Sequence, residues 1–261
     1  MGYRFYGWET ADVRDANGLT PRDHYDLLAE LWSAETSAPR MRGDWSPENR
    51  TLGQCSITAF LMQDVFGGKV FGVPLGDGNF HCYNVVGDCV FDLTSEQFGG
   101  RVLSYENNPE QFRETHFAKE EKRLRYELLR KRFKQEYAVL LKHSGYNCCQ
   151  AVLCAFAPEA GLPVETLRKM GAAFGVGMGG MEATCGALCA AEMLLGCFTY
   201  QGAPILRSAK ALHRAFTEKC GASVCKDLKG LDTGRILCEC DDCVRNAVAL
   251  SLEFMGNGGN R

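Results

Sequence analysis

Phe80-His81-Cys82-Tyr83-Asn84-Val85-Val86-Gly87-Asp88-Cys89-Val90-Phe91-Asp92-Leu93-Thr94 decides the fold of the first half of this chain. Two runs rich in β-branched and aromatic residues flank Gly87-Asp88, the composition of a two-residue hairpin turn with glycine first. If Val86 opposes Cys89, then Tyr83 opposes Asp92 and His81 opposes Thr94, so these four share one face of the ribbon. His81 and Asp92 become diagonal neighbours with Cβ atoms roughly 7–8 Å apart, a span that an imidazole and a carboxylate bridge with a hydrogen bond.

Upstream, residues 53–68 place Ile57, Leu61 and Val65 four apart between glycines, which predicts a buried helix with Cys55 in its first turn. Before it, Tyr25, Leu27, Leu28 and Leu31 predict a helix over Pro21 to Trp32, followed by a proline-punctuated loop from Ser37 to Pro47. Downstream, Phe117 to Lys142 is charged with a narrow apolar stripe at Leu124, Leu128 and Tyr126 or Leu129. Glu121 to Arg125 and Glu127 to Lys131 are favourably ordered pairs, and the interleaved signs read as a solvated linking helix. After Gly145 the pattern turns to Ala, Leu and Cys in helical periods over 148–157, 163–174, 183–195, 204–219 and 240–255, with no alternating strand. The expectation is an α+β domain over residues 1–137, a small antiparallel sheet with the helix carrying Cys55, joined to an all-α bundle of about five helices over 138–261.

The 261 residues are 46% hydrophobic and 23% charged, the ordinary balance of a globular protein, with net charge -3. A pI near 6.0 gives no basic field, so neither nucleic acid nor an anionic membrane is the expected partner. A small-molecule or protein substrate, and an electron-transfer partner for a thiol site, fit better. The N-terminal Met1 to Glu9 lacks a signal peptide's apolar core and no apolar run reaches a membrane span, so the expected location is cytoplasmic. Fourteen cysteines are distributed unevenly: Cys55, Cys82 and Cys89 in the first half, and 11 between Cys148 and Cys243. A chain long enough to bury a core has no need of disulfide staples, which brings metal or redox chemistry forward beside the plainer reading of cysteine as core residue.

A thiol at a helix N-terminus meets unpaired N–H groups and the positive end of the backbone dipole, which favours thiolate. Cys55 is therefore the candidate nucleophile, His81 the base and Asp92 the group that orients it, with Gln54 and nearby amides as oxyanion donors. A Cys on a helix followed by His and Asp on strands is the order of papain-like and transglutaminase-like enzymes. Trp45-Ser46-Pro47-Glu48-Asn49, Gly53 to Ala59, Gln63 to Gly68, His81 to Asn84 and Asp92 to Phe98 resemble the YunG family over about residues 22 to 134. That resemblance implies a fold and a site and names no substrate.

In the second half, Cys185 and Cys189 fall at i and i+4 on a predicted helix, and Cys238, Cys240 and Cys243 crowd the start of the last one. Cys148, Cys149 and Cys154 share another helix, and Cys220 and Cys225 flank Gly221. Only Cys240 to Cys243 has the Cys-x-x-Cys spacing, a weak signal for a zinc ribbon, whereas an iron–sulfur cluster accepts thiolates from separate helices. Val244 stands where covalent haem needs histidine, so a c-type haem is excluded at that motif. Tyr146 to Val152, Phe174 to Gly180, Glu182 to Ala187, Gly221 to Cys225 and Cys243 to Ala247 resemble the C_GCAxxG_C_C family over about residues 138 to 255. The resemblance implies redox activity and four characteristic cysteines, which fall on Cys148, Cys185, Cys225 and Cys243, also the candidate ligands of zinc or an iron–sulfur cluster. Ala190 stands where that family has glycine, and the other seven cysteines of this half exceed its pattern.

The loop holding Gly175, Gly177, Gly179 and Gly180 follows a predicted helix rather than a strand, so it lacks the dinucleotide-binding context and reads as room for close approach of thiols. His24, His116, His143 and His213 have no partner visible in sequence and read as surface or capping residues, and Met178, Met181 and Met193 as core. Three functions stay open: an oxidoreductase built on Cys185, a cysteine hydrolase or transferase built on Cys55, and a non-catalytic metal-binding or interaction module.

Overall fold

The computed structural model describes residues 4–76, 78–101 and 103–258, with side chains through Met255. Of the N-terminal stretch read for a signal peptide, residues 1–3 lie outside the described residues. The chain divides into two compact units, residues 1–133 and 134–261. No helix of the described residues is long and apolar enough to cross a membrane.

The first unit is mixed α and β. Helix α1 (Pro21–Ala29) begins with a capping box in which Thr20 and Asp23 exchange hydrogen bonds, with proline at its first position. The following loop contains a short 3-10 turn over Pro39–Asp44. Helix α2 (Cys55–Phe66) buries Ile57, Phe60, Leu61 and Met62 and lies on a three-stranded antiparallel sheet in the order β1 (Lys69–Pro74), β2 (Phe80–Val86), β3 (Cys89–Phe91). The hairpin has the predicted register: Val86 pairs with Cys89, Val85 with Val90 and Asn84 with Phe91. Gly87 leads the turn at φ +58. Asp92 continues the line by bridging to Tyr6. On the helix-facing side, Asn84 Nδ2 donates to the Ala59 carbonyl at 2.8 Å, and on the other Val73, Tyr83 and Leu103 form a small core.

Strand β1 was not expected from the sequence. Lys69-Val-Phe-Gly-Val-Pro has a glycine and a terminal proline, which weaken the strand pattern, and it forms because six consecutive residues pair with β2.

Helices α3 (Arg113–Phe117) and α4 (Glu120–His143) close this unit, α4 running on across the boundary. Here the structure corrects the solvated linker. Arg125, Tyr126, Leu129 and Phe133 are buried while Leu124 is exposed, so the apolar stripe is rotated from the one first read. Glu121 does pair with Arg125, at 3.4 Å, but Glu127 accepts from Arg123 at 2.8 Å.

The second unit is helical: α5 (Cys148–Ala155), α6 (Ala157–Ala160), α7 (Val164–Gly171), a single broken turn α8 (Gly175–Met178), α9 (Gly186–Thr199), α10 (Leu206–Cys220), α11 (Cys225–Lys229) and α12 (Cys240–Gly258). Asn147 caps α5, its side chain accepting from the Gln150 amide at 2.9 Å while Gln150 Oε1 accepts from the Asn147 amide. Helix α9, buried along Ala187, Leu188, Ala190, Ala191 and Leu194, packs against α5, α10 and α12. Short α6 and α11 were not anticipated, because a four- or five-residue helix shows no periodicity.

Candidate functional sites

Helix α2 places Cys55 as its first residue, and β2 and the end of β3 bring His81 and Asp92 together in the interior. His81 Nε2 meets Asp92 Oδ2 at 2.5 Å, and both side chains are 1% exposed. The carboxylate is held from three further sides: Tyr105 Oη donates to Oδ2 at 2.9 Å, and the Thr94 amide and hydroxyl both donate to Oδ1 at 3.0 Å. Gln97 Nε2 lies 3.4 Å from the other ring nitrogen of His81 and donates to the Thr94 carbonyl at 2.9 Å.

The Cys55 thiol is hydrogen-bonded to Cys82 and to His81, and these contacts hold it well below the ordinary thiol value against the opposing effect of burial. The Cys82 thiol is pushed up in turn, since it is the donor. Burial opposes charge on His81, but the Asp92 carboxylate and the Cys55 sulfur outweigh it and hold the imidazolium up to about 10. A thiolate beside an imidazolium steadied by a buried carboxylate is the resting form of an activated cysteine nucleophile. It opens on a cavity of about 410 Å³ whose walls include Gln97, Phe98, His116, Lys122 and Arg125.

Gln54 does not fit the oxyanion role read for it. Its side chain is fully buried and Nε2 donates to the Ser33 carbonyl at 3.0 Å, so its donor is committed to the loop before α2. Cys82, Gln97 and Tyr105 are site residues that the sequence reading missed. Alternation along β2 put Cys82 on the helix side of the sheet, a signal available from the register. Tyr105 and Gln97 come from irregular segments with no such periodicity. His24 and His116, expected at the surface, are buried, His24 against Asp15 at 2.9 Å. His143 meets Asp241 at 2.9 Å and His213 meets Glu192 at 3.1 Å.

The second unit gathers thiols from four elements. Cys220 at the end of α10, Cys238 in the loop before α12 and Cys243 in its first turn have their sulfur atoms all within 4.8 Å of one another. Cys185, the N-cap of α9, lies against Cys243, and that contact together with the amides at the start of the helix holds it below the ordinary thiol value against burial. Cys243, pressed against the Cys185 and Cys220 sulfurs, is pushed up strongly. Contact with Cys243, helped by Asn246 Nδ2 donating at 3.4 Å, holds Cys220 down near 7. Beside this group, Cys148 donates to Cys240, which with Lys142 and Lys229 nearby is held down to about 6. Among the described residues, no cysteine is in a disulfide.

Of the four cysteines expected to work together, Cys185 and Cys243 meet directly. Cys148 bonds to Cys240 and lies close to Cys185, and Cys225 stands against Gly177 within electrostatic reach of Cys185 and Cys240. Cys220 and Cys238, read as extra, complete the group around Cys243. Close approach explains the glycine after Cys185: a Cβ on Gly186 would lie 2.3 Å from the Phe174 carbonyl and 2.8 Å from Cys148 Sγ. The glycine loop 175–180 does not open a regular helix, since Val176 and Gly177 take left-handed conformations, and its amides have no helix axis to align on.

Residues 20–138 match the family model for the YunG protein, and residues 146–254 match the one described as "Putative redox-active protein (C_GCAxxG_C_C)". The first half resembles YunG, the second half the redox-active family. The "Uncharacterized protein YunG" of Bacillus subtilis (strain 168) is 36% identical over 83 residues, which are 32% of this chain and 66% of that protein. No solved structure matches. The match of the second half and its buried cysteine group fit a redox or metal-binding role.

Proposed function

We propose that the C_GCAxxG_C_C-like half is a thiolate centre whose core task is to hold a soft metal ion or metal–sulfur cluster at Cys220, Cys238 and Cys243, with Cys185 as fourth ligand. The supporting observation is the three sulfurs within 4.8 Å of one another. Around a tetrahedral zinc, with Zn–S near 2.3 Å, sulfurs sit about 3.8 Å apart, so the cage needs only a small contraction. Thiolate ligands favour zinc, copper(I) or iron–sulfur over harder cations. Titration of the reduced full chain with zinc against a chromophoric chelator tests this. One tight equivalent, retained in a Cys197→Ser control and lost in Cys238→Ser and Cys243→Ser, is expected, and no tight binding, or tight binding unchanged in both site variants, would refute it.

A dithiol–disulfide reading draws on the Cys185–Cys243 contact. Cys185 thiolate would attack a partner disulfide and release one thiol, and Cys243 would then displace the second, leaving a Cys185–Cys243 disulfide and a reduced partner.

The YunG-like half is proposed to be a cysteine hydrolase or transferase of papain-like or transglutaminase-like fold. The Cys55 thiolate adds to an amide or thioester carbonyl, the C–N or C–S bond breaks, and His81 gives its proton to the leaving amine or thiol. Water, deprotonated by His81, then releases the acid and restores the thiol. The observation behind this reading is the buried 2.5 Å His81–Asp92 contact beside a helix-start cysteine. Selective iodoacetamide labelling of Cys55 at pH 6, lost in His81→Gln, is the expected result, and labelling no faster than at Cys197 would count against it.

A further inference from the structure

Among the described residues, the cavity beside Cys55 has lopsided walls: Arg40, Lys119, Lys122 and Arg125 against the carboxylate of Glu121. Arg125 is committed to the fold, donating to the Thr36 carbonyl at 2.9 Å and the Gly53 carbonyl at 2.7 Å and pairing with Glu121. Lys122 is not. Its Nζ donates to His116 Nδ1 at 3.3 Å, and no carboxylate among the described residues forms an ion pair with it or with Lys119.

An ammonium group has only donors, so Nδ1 of His116 is the acceptor and the ring proton sits on Nε2. That Nε2–H is buried, in a side chain lining the cavity, and it has no protein partner. Burial and Lys122 keep the ring neutral, its pKa pushed down to about 3, so Nδ1 stays an acceptor for the ammonium. The imidazole thus steadies Lys122 Nζ at the cavity wall through Nδ1, and an ammonium with no carboxylate paired to it favours an anionic ligand. Neither group is needed to activate Cys55, which has His81 and Cys82.

We propose that this cavity takes a small acyl substrate bearing a carboxylate or phosphate group, with Lys122 Nζ, steadied by His116 Nδ1, as its anion-binding group and Lys119 at the rim. The inference rests on the cysteine-nucleophile reading of the YunG-like half and adds the class of substrate. A cavity of about 410 Å³ suits a small molecule.

Two alkylating reagents differing mainly in charge test it: iodoacetate, an anion, and iodoacetamide, its neutral analogue. Rates at Cys55 are read by peptide mass spectrometry on the full chain, each relative to exposed Cys197 in the same sample. The expected iodoacetate-to-iodoacetamide ratio is at least tenfold higher at Cys55 than at Cys197. It falls about tenfold in Lys122→Gln, falls less in Lys119→Gln, an exposed site where folding is safe, and shrinks with added salt. Protection of Cys55 by succinate or by inorganic phosphate tells a carboxylate substrate from a phosphate one. Fast labelling with an equal ratio at both cysteines, or a ratio unmoved in both lysine variants, overturns the anion subsite and leaves the nucleophile standing. Slow labelling by both reagents with the selectivity intact would instead overturn the nucleophile.

Discussion

Replacing Asp92 with asparagine should separate what the carboxylate's charge does from what its shape does. The Asn side chain keeps an oxygen for the Thr94 donors, but its nitrogen would face Tyr105 Oη and His81 Nε2, both of which the carboxylate now receives on Oδ2. A hydrogen bond to a buried charged group contributes about 1.5–3 kcal/mol, which at 1.36 kcal/mol per pH unit is roughly 1–2 units. The imidazolium would lose that much support, and the Cys55 thiolate, which depends on it, would form only at higher pH. The midpoint of Cys55 labelling by iodoacetamide, well below the ordinary thiol range in the native chain, should rise by about 1–2 units, with rates at pH values below both midpoints down roughly 10- to 100-fold and the curves converging above them. Labelling across pH with peptide-resolved mass spectrometry reads it directly. A midpoint that stays put in Asp92→Asn, with the fold intact by circular dichroism, would refute the claim that Asp92 sustains the thiolate through His81.

Stability should carry the same signature. His81 is raised from 6.5 to about 10 in the fold, so its contribution is fully present below 6.5 and lost as pH climbs toward 10. Cys55, held down as a thiolate, releases a proton on folding while His81 takes one up, so the two cancel up to about pH 9, and thermal midpoints should fall only above it, more steeply in the native chain than in His81→Gln; parallel curves there would contradict it. Gly186→Ala should destabilise by about 2 kcal/mol or more, because its Cβ meets a backbone oxygen that cannot move, outweighing the roughly 1 kcal/mol helix gain of alanine. Denaturant unfolding that leaves the midpoint unchanged would remove close approach as the reason for that glycine.

The hairpin was legible because a two-residue turn fixes register, and register fixed that His81 and Asp92 share a face. Cys55 was legible because glycines bracket an apolar helical period. Other features depended on tertiary placement. Gln54 reads as an oxyanion donor until its amide is seen bound to Ser33, and Arg125 reads as a surface charge until it is seen buried on two loop carbonyls. In the second half, helical periods located the cysteines on helices, yet periodicity within one helix says nothing of which helix ends converge. Cys220 and Cys238 join Cys243 through the return of α10 and the loop into α12, a long-range closure invisible in spacing.

The central claim, a working thiolate centre in the C_GCAxxG_C_C-like half, is tested most directly by purifying the full chain without oxygen and measuring metal, sulfide, visible absorption and free thiols together. The account predicts stoichiometric zinc or iron, with visible absorption if iron and sulfide are present, and loss of the metal in Cys243→Ser. Metal-free protein that shows all 14 thiols free, takes up no metal and forms no Cys185–Cys243 bond with a disulfide partner would contradict it.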